Sequence, residues 1–481
     1  MFTLDQTHAV KSQIVPEFQA VILAGNKGSL YPLTADDNLP KALLPIANRP
    51  MIAYTLQWLE LAGVRDVIVA VCPSSETQLT HYLRTVYEGP ASIEIATVDE
   101  HLGTAEVLRH LANRIFHDFI VLTCDGVFAL PTSTPQVLLD AHRSANPTLT
   151  ALFYEPPKSE GGGGSTKDSE WPLYVGHDPA ASRLLYLKAG DRVKEHLHLR
   201  TDLLRRFPRL RLTTHLQDGH IYICKRWVLD WMVAAAATES QPATGSPALA
   251  RGKSGKSASL VSFSRDVLPL LIKAQYRPHV CEAAGLDRAY EAAASAATIR
   301  HKATASVAAW TTVRGVDPWD HQLRVNLFVA PQGFLGRAAS ISHYCDLNKH
   351  VSKLQADTPR VDPSADVHAR SQVGADSVVG KETKIDERSS VKKSVIGAHC
   401  VIGKNAKIVN SVLMDYITVE DGVKLDGCVI CNNVKLQTKA QLKDCEVGAG
   451  LVVDSETQAK NERIVSSFVD NDEDSMQINF G

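Results

Sequence analysis

The segment Leu23-Ala24-Gly25-Asn26-Lys27-Gly28-Ser29 follows an apolar run, Phe18 to Leu23, that reads as a buried strand. Glycines at the end of a strand let backbone N–H groups come close to a phosphate, and a following lysine, Lys41 of Pro40-Lys41-Ala42-Leu43-Leu44-Pro45, adds positive charge. Taken alone, such a loop is also the ordinary mark of a tight turn.

The surrounding elements are of the kind that present such a loop. Met51 to Leu61 places Ile52, Leu56 and Leu59 on one side of a helix, with Gly63 as its stop. Asp66 to Cys72, Ile93 to Thr97 and Phe119 to Thr123 read as further strands. Helices are predicted near Glu76 to Tyr87 and over Ala105 to Ile115. Strand and helix alternating at this spacing predict an α/β domain with a doubly wound, mainly parallel sheet.

The second half follows another rule. From Val361 to Val453 an aliphatic residue recurs every six residues, with twelve steps of six and four of five. That period fits neither a helix nor a two-faced strand; it is the period of hexapeptide repeats in a parallel β-helix, three to a coil. From Val391 on, one five-residue step per coil makes the coil 17 residues long. Val391, Ile408, Leu425 and Leu442 then form one stacked column, and Ser394, Ser411, Cys428 and Cys445 fall at a corner that takes a small side chain.

Bulk properties narrow the field. A chain of 481 residues implies two or three domains, and a net charge of −2 argues against coating nucleic acid or an anionic membrane. Met1 to Gln13 has no signal-peptide core, and the longest apolar runs, such as Val67 to Cys72, are strand-sized. Nine scattered cysteines suggest a reducing compartment, so a cytosolic protein is expected. The expected layout is a disordered segment 1–15, the α/β domain 16–330 with flexible loops 158–170 and 238–259, and a connector 331–360. The β-helix follows at 361–465, then an acidic disordered tail 466–481. The alanine-rich stretch 292–309 reads as either helical or disordered.

Loop, Pro-Lys segment and hexapeptide rod together resemble the sugar-phosphate nucleotidyltransferase family, a pyrophosphorylase-like domain followed by a left-handed β-helix. That family's loop reads Leu-Ala-Gly-Gly-x-Gly-Thr-Arg-Leu. Here Asn26 replaces the second glycine, Ser29 replaces the threonine, and Ser29 runs straight into Leu30 with no arginine. The resemblance makes Lys41 the family lysine and places Leu102-Gly103-Thr104-Ala105 at the base pocket. It makes Asp125 the magnesium-binding aspartate of active members. No second aspartate turn follows Ser264 to Pro269. Losing the arginine alone would remove about 2–4 kcal/mol of transition-state stabilisation. Gly25, Asn26, Gly28, Lys41, Gly103, Thr104 and Asp125 are therefore expected to line a vestigial pocket, with no catalytic residue, no metal and no cofactor.

A closer resemblance is to the gamma-subunit family of eukaryotic translation initiation factor 2B. It rests on the altered loop, Cys124-Asp125, Leu184-Leu185-Tyr186, Arg205 to Arg211, Asp218-Gly219-His220-Ile221-Tyr222, Ser264 to Pro269 and Ile430 to Val434. It implies a non-catalytic subunit that pairs with the epsilon subunit beside alpha, beta and delta subunits. The assembly's substrate would be the initiation factor 2 GTPase, whose GDP–GTP exchange it promotes. No direct nucleic-acid or membrane binding is implied. The family's exchange domain is helical and sits on epsilon, and none is expected in the few residues that follow the rod here. The rival readings are an active enzyme making a nucleotide-sugar and a free-standing sensor of nucleotides.

Three other signals have plainer explanations. Gly252-Lys253-Ser254-Gly255-Lys256-Ser257 lacks the spacing and the preceding strand of a phosphate loop. Cys428 and Cys431 have no second cysteine pair at zinc spacing, and Cys428 belongs to the corner column. His368 and His399 show no orienting partner of the sort an acyltransferase histidine needs.

Overall fold

The computed structural model describes residues 16–25, 30–129, 133–156, 172–193, 196–239, 260–302, 323–331, 333–354 and 359–465. Its first fourteen strands are β1 (Phe18–Ala24), β2 (Pro45–Ile46), β3 (Arg49–Pro50), β4 (Asp66–Val71), β5 (Ser92–Thr97), β6 (Asp118–Thr123), β7 (Gly126–Ala129), β8 (Leu149–Tyr154), β9 (Leu173–Asp178), β10 (Arg183–Ala189), β11 (Arg211–Thr213), β12 (Gln217–Cys224), β13 (Val325–Val329) and β14 (Phe334–Arg337). Ten of them form one sheet in the order β11-β9-β10-β13-β8-β12-β6-β1-β4-β5. β6, β1, β4 and β5 run parallel, as the early alternation requires. β12 is antiparallel to both its neighbours, and β9, β10 and β11 are antiparallel too, so the sheet as a whole is mixed.

Apolar side chains drive this assembly from both faces. Ala20, Ile22, Val67, Val69, Ile120 and Leu122 pack with Ile52, Leu56 and Leu59 of the helix Met51–Leu61. Val21, Ile68, Phe119 and Val121 pack under the opposite layer, which includes Ala105 and Leu108. The helix Thr104–His110 stops short of Ile115. Its chain turns at Leu111, so the predicted helix was too long by its last turn. The helix Arg226–Glu239 takes in the first two residues of the stretch predicted as a loop at 238–259, and the helix Leu286–Lys302 covers most of the alanine-rich stretch. The segments 1–15, 158–170, 240–259, 303–309 and 466–481 lie outside the described residues.

Residues 361–465 form three six-stranded parallel sheets, the faces of a triangular β-helix. Registers pair Val373, Val391, Ile408, Leu425, Leu442 and Ala459 along one face. Along another they pair Val379, Ile396, Leu413, Ile430, Val447 and Ile464. Val391, Ile408, Leu425 and Leu442 are buried, as the repeat demands. In the corner column Ser394 Oγ accepts from Ser411 N at 3.2 Å and Ser411 Oγ from Cys428 N at 3.1 Å. Small size therefore comes with a hydrogen bond that joins successive coils. From Glu382 on, the corners carry residues with a left-handed backbone, for example Lys393, Asn410, Gly427, Asp444 and Asn461 in one column. Asn410, Gly427, Asp444 and Asn461 spend that turn donating their N–H to the preceding coil.

The stretch 331–360 is more than a tether. β14 pairs antiparallel with β7, and the helix Ile341–Leu354 follows it. Tyr344 of that helix is fully buried, and its hydroxyl donates to Pro45 O at 2.5 Å. Asn348 Oδ1 accepts from Ala47 N at 2.9 Å, and Asn48 Nδ2 donates to Ile396 O of the β-helix at 2.8 Å. Leu30, Leu33, Leu44 and Ile46 share one apolar cluster with Tyr344, Ile396 and Leu413. Among the described residues no helix is long and apolar enough to cross a membrane.

Candidate functional site

β1 and β6 lie side by side and parallel, so Gly25 and Asp125 emerge at the same carboxyl edge of the sheet, where open α/β sheets bind ligands. Among the described residues, a Cβ added at Gly25 would meet nothing within 4 Å. Asn26 and Gly28 lie outside the described residues. Leu30, where the family loop resumes, is fully buried in the cluster shared with the β-helix.

Asp125 is 1 % exposed, and its carboxylate is fully engaged. Oδ2 accepts from Lys41 Nζ at 2.8 Å and from an Arg337 terminal nitrogen at 2.9 Å, while Oδ1 accepts from Arg337 Nε at 3.2 Å. Pairing of β14 with β7 puts Arg337 opposite Gly126, and Asp125 O accepts from Ala338 N at 3.1 Å. Burial pushes the Asp125 carboxyl up. The charges of Arg337 and Lys41, with their hydrogen bonds, outweigh it and hold the group well below the usual carboxylate range. Burial pulls the Lys41 ammonium down, and Asp125 more than offsets this. The Cys124 thiol beside them is pushed up to about 12, chiefly by burial.

Magnesium takes carboxylate oxygens in a near-octahedral set. Both oxygens of Asp125 already accept from cations, and among the described residues no three His, Cys, Asp or Glu side chains converge as a metal site. The donor set does not fit the ion that the family aspartate holds. At Gly103 and Thr104 the chain's own backbone comes close. A Cβ at Gly103 would lie 2.3 Å from Val261 Cγ1, and Thr104 Oγ1 accepts from Phe263 N at 2.8 Å. Lys41 and Asp125 are thus brought together, while the half-buried Gly103 and the exposed Thr104 contact the chain's own segment 260–263.

Arg337 is the residue that sequence reasoning missed; a lone arginine in Gly333-Phe334-Leu335-Gly336-Arg337 carries no motif. Asp218 and His220 carry no motif of their own beyond the stretch Asp218-Gly219-His220-Ile221-Tyr222. A register shift between Asp218 and Tyr222 gives His220 a left-handed backbone, and its N donates to Asp218 Oδ1 at 2.9 Å. The Tyr222 hydroxyl donates to the same carboxylate. His368 and His399 do have carboxylate neighbours, Glu387 at 3.8 Å and Glu382 at 3.2 Å, on the exposed surface of the rod. Sequence spacing hid these pairs because each joins adjacent coils.

Comparison with known proteins agrees with this geometry. A family model described as nucleotidyl transferase matches residues 19–162, and one described as the EIF2B subunit epsilon LbH domain matches residues 361–459. The chain is 34 % identical over 392 residues to translation initiation factor eIF2B subunit gamma of Schizosaccharomyces pombe, covering 79 % of this chain and 75 % of that one. It is 28 % identical over 415 residues to the protein of the same name from Dictyostelium discoideum, covering 79 % and 87 %. A shorter stretch of 144 residues is 32 % identical to mannose-1-phosphate guanyltransferase of Candida albicans, covering 29 % and 39 %. Sheet, occupied aspartate and three-faced rod define a nucleotidyltransferase-fold protein carrying a left-handed β-helix. The chain belongs to the eIF2B gamma-subunit family.

Proposed function

We propose that this chain is a non-catalytic, regulatory subunit of the eIF2B guanine-nucleotide exchange complex. It pairs with the epsilon subunit, beside alpha, beta and delta, and promotes GDP–GTP exchange on the initiation factor 2 GTPase in the cytosol. The observation that carries the non-catalytic part is the Lys41–Asp125–Arg337 cluster, in which the family's metal-binding carboxylate serves as a buried counter-ion. Exchange of that carboxylate from metal ligand to structural anion leaves a rigid platform. A platform that holds both the catalytic subunit and the GTPase raises their effective concentration for each other.

The test is release of fluorescent GDP from initiation factor 2 by this chain, by epsilon, and by the pair. The expected result is no acceleration by this chain alone and a pair faster than epsilon at sub-saturating GTPase. Exchange by this chain alone, or a pair no faster than epsilon at any concentration, refutes the role.

A further inference from the structure

A cleft of about 1980 Å³ lies between the outer strands of the sheet, the helix Ile341–Leu354 and one corner of the rod. Its sheet-side wall carries Lys188, Arg192, Lys273 and Arg277. None of these four has an ion pair among the described residues, although Lys349, on the opposite side, pairs with Asp346. Arg277 Nε is buried with no hydrogen-bond partner there. Burial and then the charges of Arg277, Arg192 and Lys188 push the Lys273 ammonium down, and no carboxylate acts in the other direction. Asp191 also lines this wall but makes no ion pair with any of the four among the described residues, so four cations against one carboxylate leave a surface that selects an anion. Asp376 and Asp444 line the opposite, rod side and keep that selection on the sheet wall.

The described chain ends beside this cleft. Asn461 of the last coil lines it, and Val465 follows four residues later. The next residues, 466–481, hold Asp470, Asp472, Glu473 and Asp474 and no Lys, Arg or His. At about 3.3 Å per extended residue, Asp470 reaches roughly 17 Å and Asp474 roughly 30 Å from Val465. Four carboxylates within five residues match four cations in number and sign, and tethering makes their encounter intramolecular.

We infer that the acidic segment 470–474 docks in cis on the Lys188, Arg192, Lys273 and Arg277 wall. This goes beyond the proposed subunit role and does not depend on it. The test uses the full chain and zero-length carbodiimide coupling, with the joined peptides read by mass spectrometry. Coupling of Asp470, Asp472, Glu473 or Asp474 to Lys273 or Lys188 is expected. In a mixture of isotopically light and heavy chains the joined peptides are expected to be of one isotope only, and to disappear at about 1 M salt, where the Debye length is near 3 Å.

A second measurement uses a labelled peptide of residues 466–481. It is expected to bind the chain carrying Asp470→Asn, Asp472→Asn, Glu473→Gln and Asp474→Asn at least tenfold more tightly than the unaltered chain. Absence of coupling to either lysine, coupling only between light and heavy chains, or equal peptide binding by both chains overturns the inference. Inorganic phosphate bound with equal affinity by both chains assigns the wall to a small anion and overturns it too.

Discussion

Arg337 and Asp125 stand 212 residues apart in the chain, yet two guanidinium nitrogens of the one meet both carboxylate oxygens of the other. That contact changes what an aspartate at the mouth of this fold is for. With magnesium, any nucleoside triphosphate and sugar-1-phosphates, the chain is expected to release no pyrophosphate above background. Asp125→Asn would leave Lys41 and Arg337 facing each other without their counter-ion, at a cost of about 3–5 kcal/mol measured by denaturant unfolding. Turnover that Asp125→Asn abolishes at unchanged stability would falsify the structural role.

His142 supplies a pH dependence of opposite origin. It is 1 % exposed, Nδ1 lies 2.8 Å from Thr150 Oγ1, and burial, then the Lys225 charge, lowers its pKa to about 4. The unfolded chain, with a histidine pKa of about 6.5, takes up a proton that the folded chain refuses. Stability contributed by neutral His142 is therefore fully present above about pH 6.5 and is lost as the pH falls toward 4, with a limiting slope of about 1.4 kcal/mol per pH unit. The unfolding free energy from denaturant curves should vary less with pH across that range for His142→Gln than for the parent. The Asp125 contribution, from a depressed carboxyl, is lost only lower, as the pH drops below about 3.9.

The rod was legible because its rule is local. Each inward Val, Ile or Leu repeats at the coil length, so Val391, Ile408, Leu425 and Leu442 could be stacked by counting. The parallel core was legible for the same reason, through short apolar runs such as Val67 to Cys72. Lys41 and Asp125 were visible as motif residues, but their use was not. Arg337 reaches them through the pairing of β14 with β7, and Val261 reaches Gly103 from more than 150 residues away. No local pattern encodes either approach.

Leu425→Asp tests the register. Leu425 is 1 % exposed between Ile408 and Leu442, so the substitution buries an unpaired charge and should cost several kcal/mol, on the order of 3–5. Because each coil is supported only by its neighbours, loss should spread along the rod. A melting curve and epsilon binding both unchanged by Leu425→Asp would mean that the column is wrongly assigned.

Tyr344 tests the joint between the two halves. It is fully buried in the apolar cluster that spans the loop region 30–54 and the rod. Calorimetry is expected to give one unfolding transition for the parent chain. Tyr344→Ala, losing roughly 3–5 kcal/mol of packing, should split it into two. Two transitions in the parent would show that the shared cluster does not couple the halves.

β13 has a consequence for synthesis on the ribosome. It lies between β8 and β10 in the ten-stranded sheet, but 170 residues separate Tyr154 at the end of β8 from Val325 at its own start. At about 5–20 residues per second, the nascent chain holds the edge of β8 unpaired on that side for roughly 10–35 s. During that interval the emerging polypeptide presents a bare strand edge of the kind that chaperones shield and that foreign strands invade. Mutations that slow elongation between these points should therefore lower the yield of native protein even when the finished molecule is unaltered.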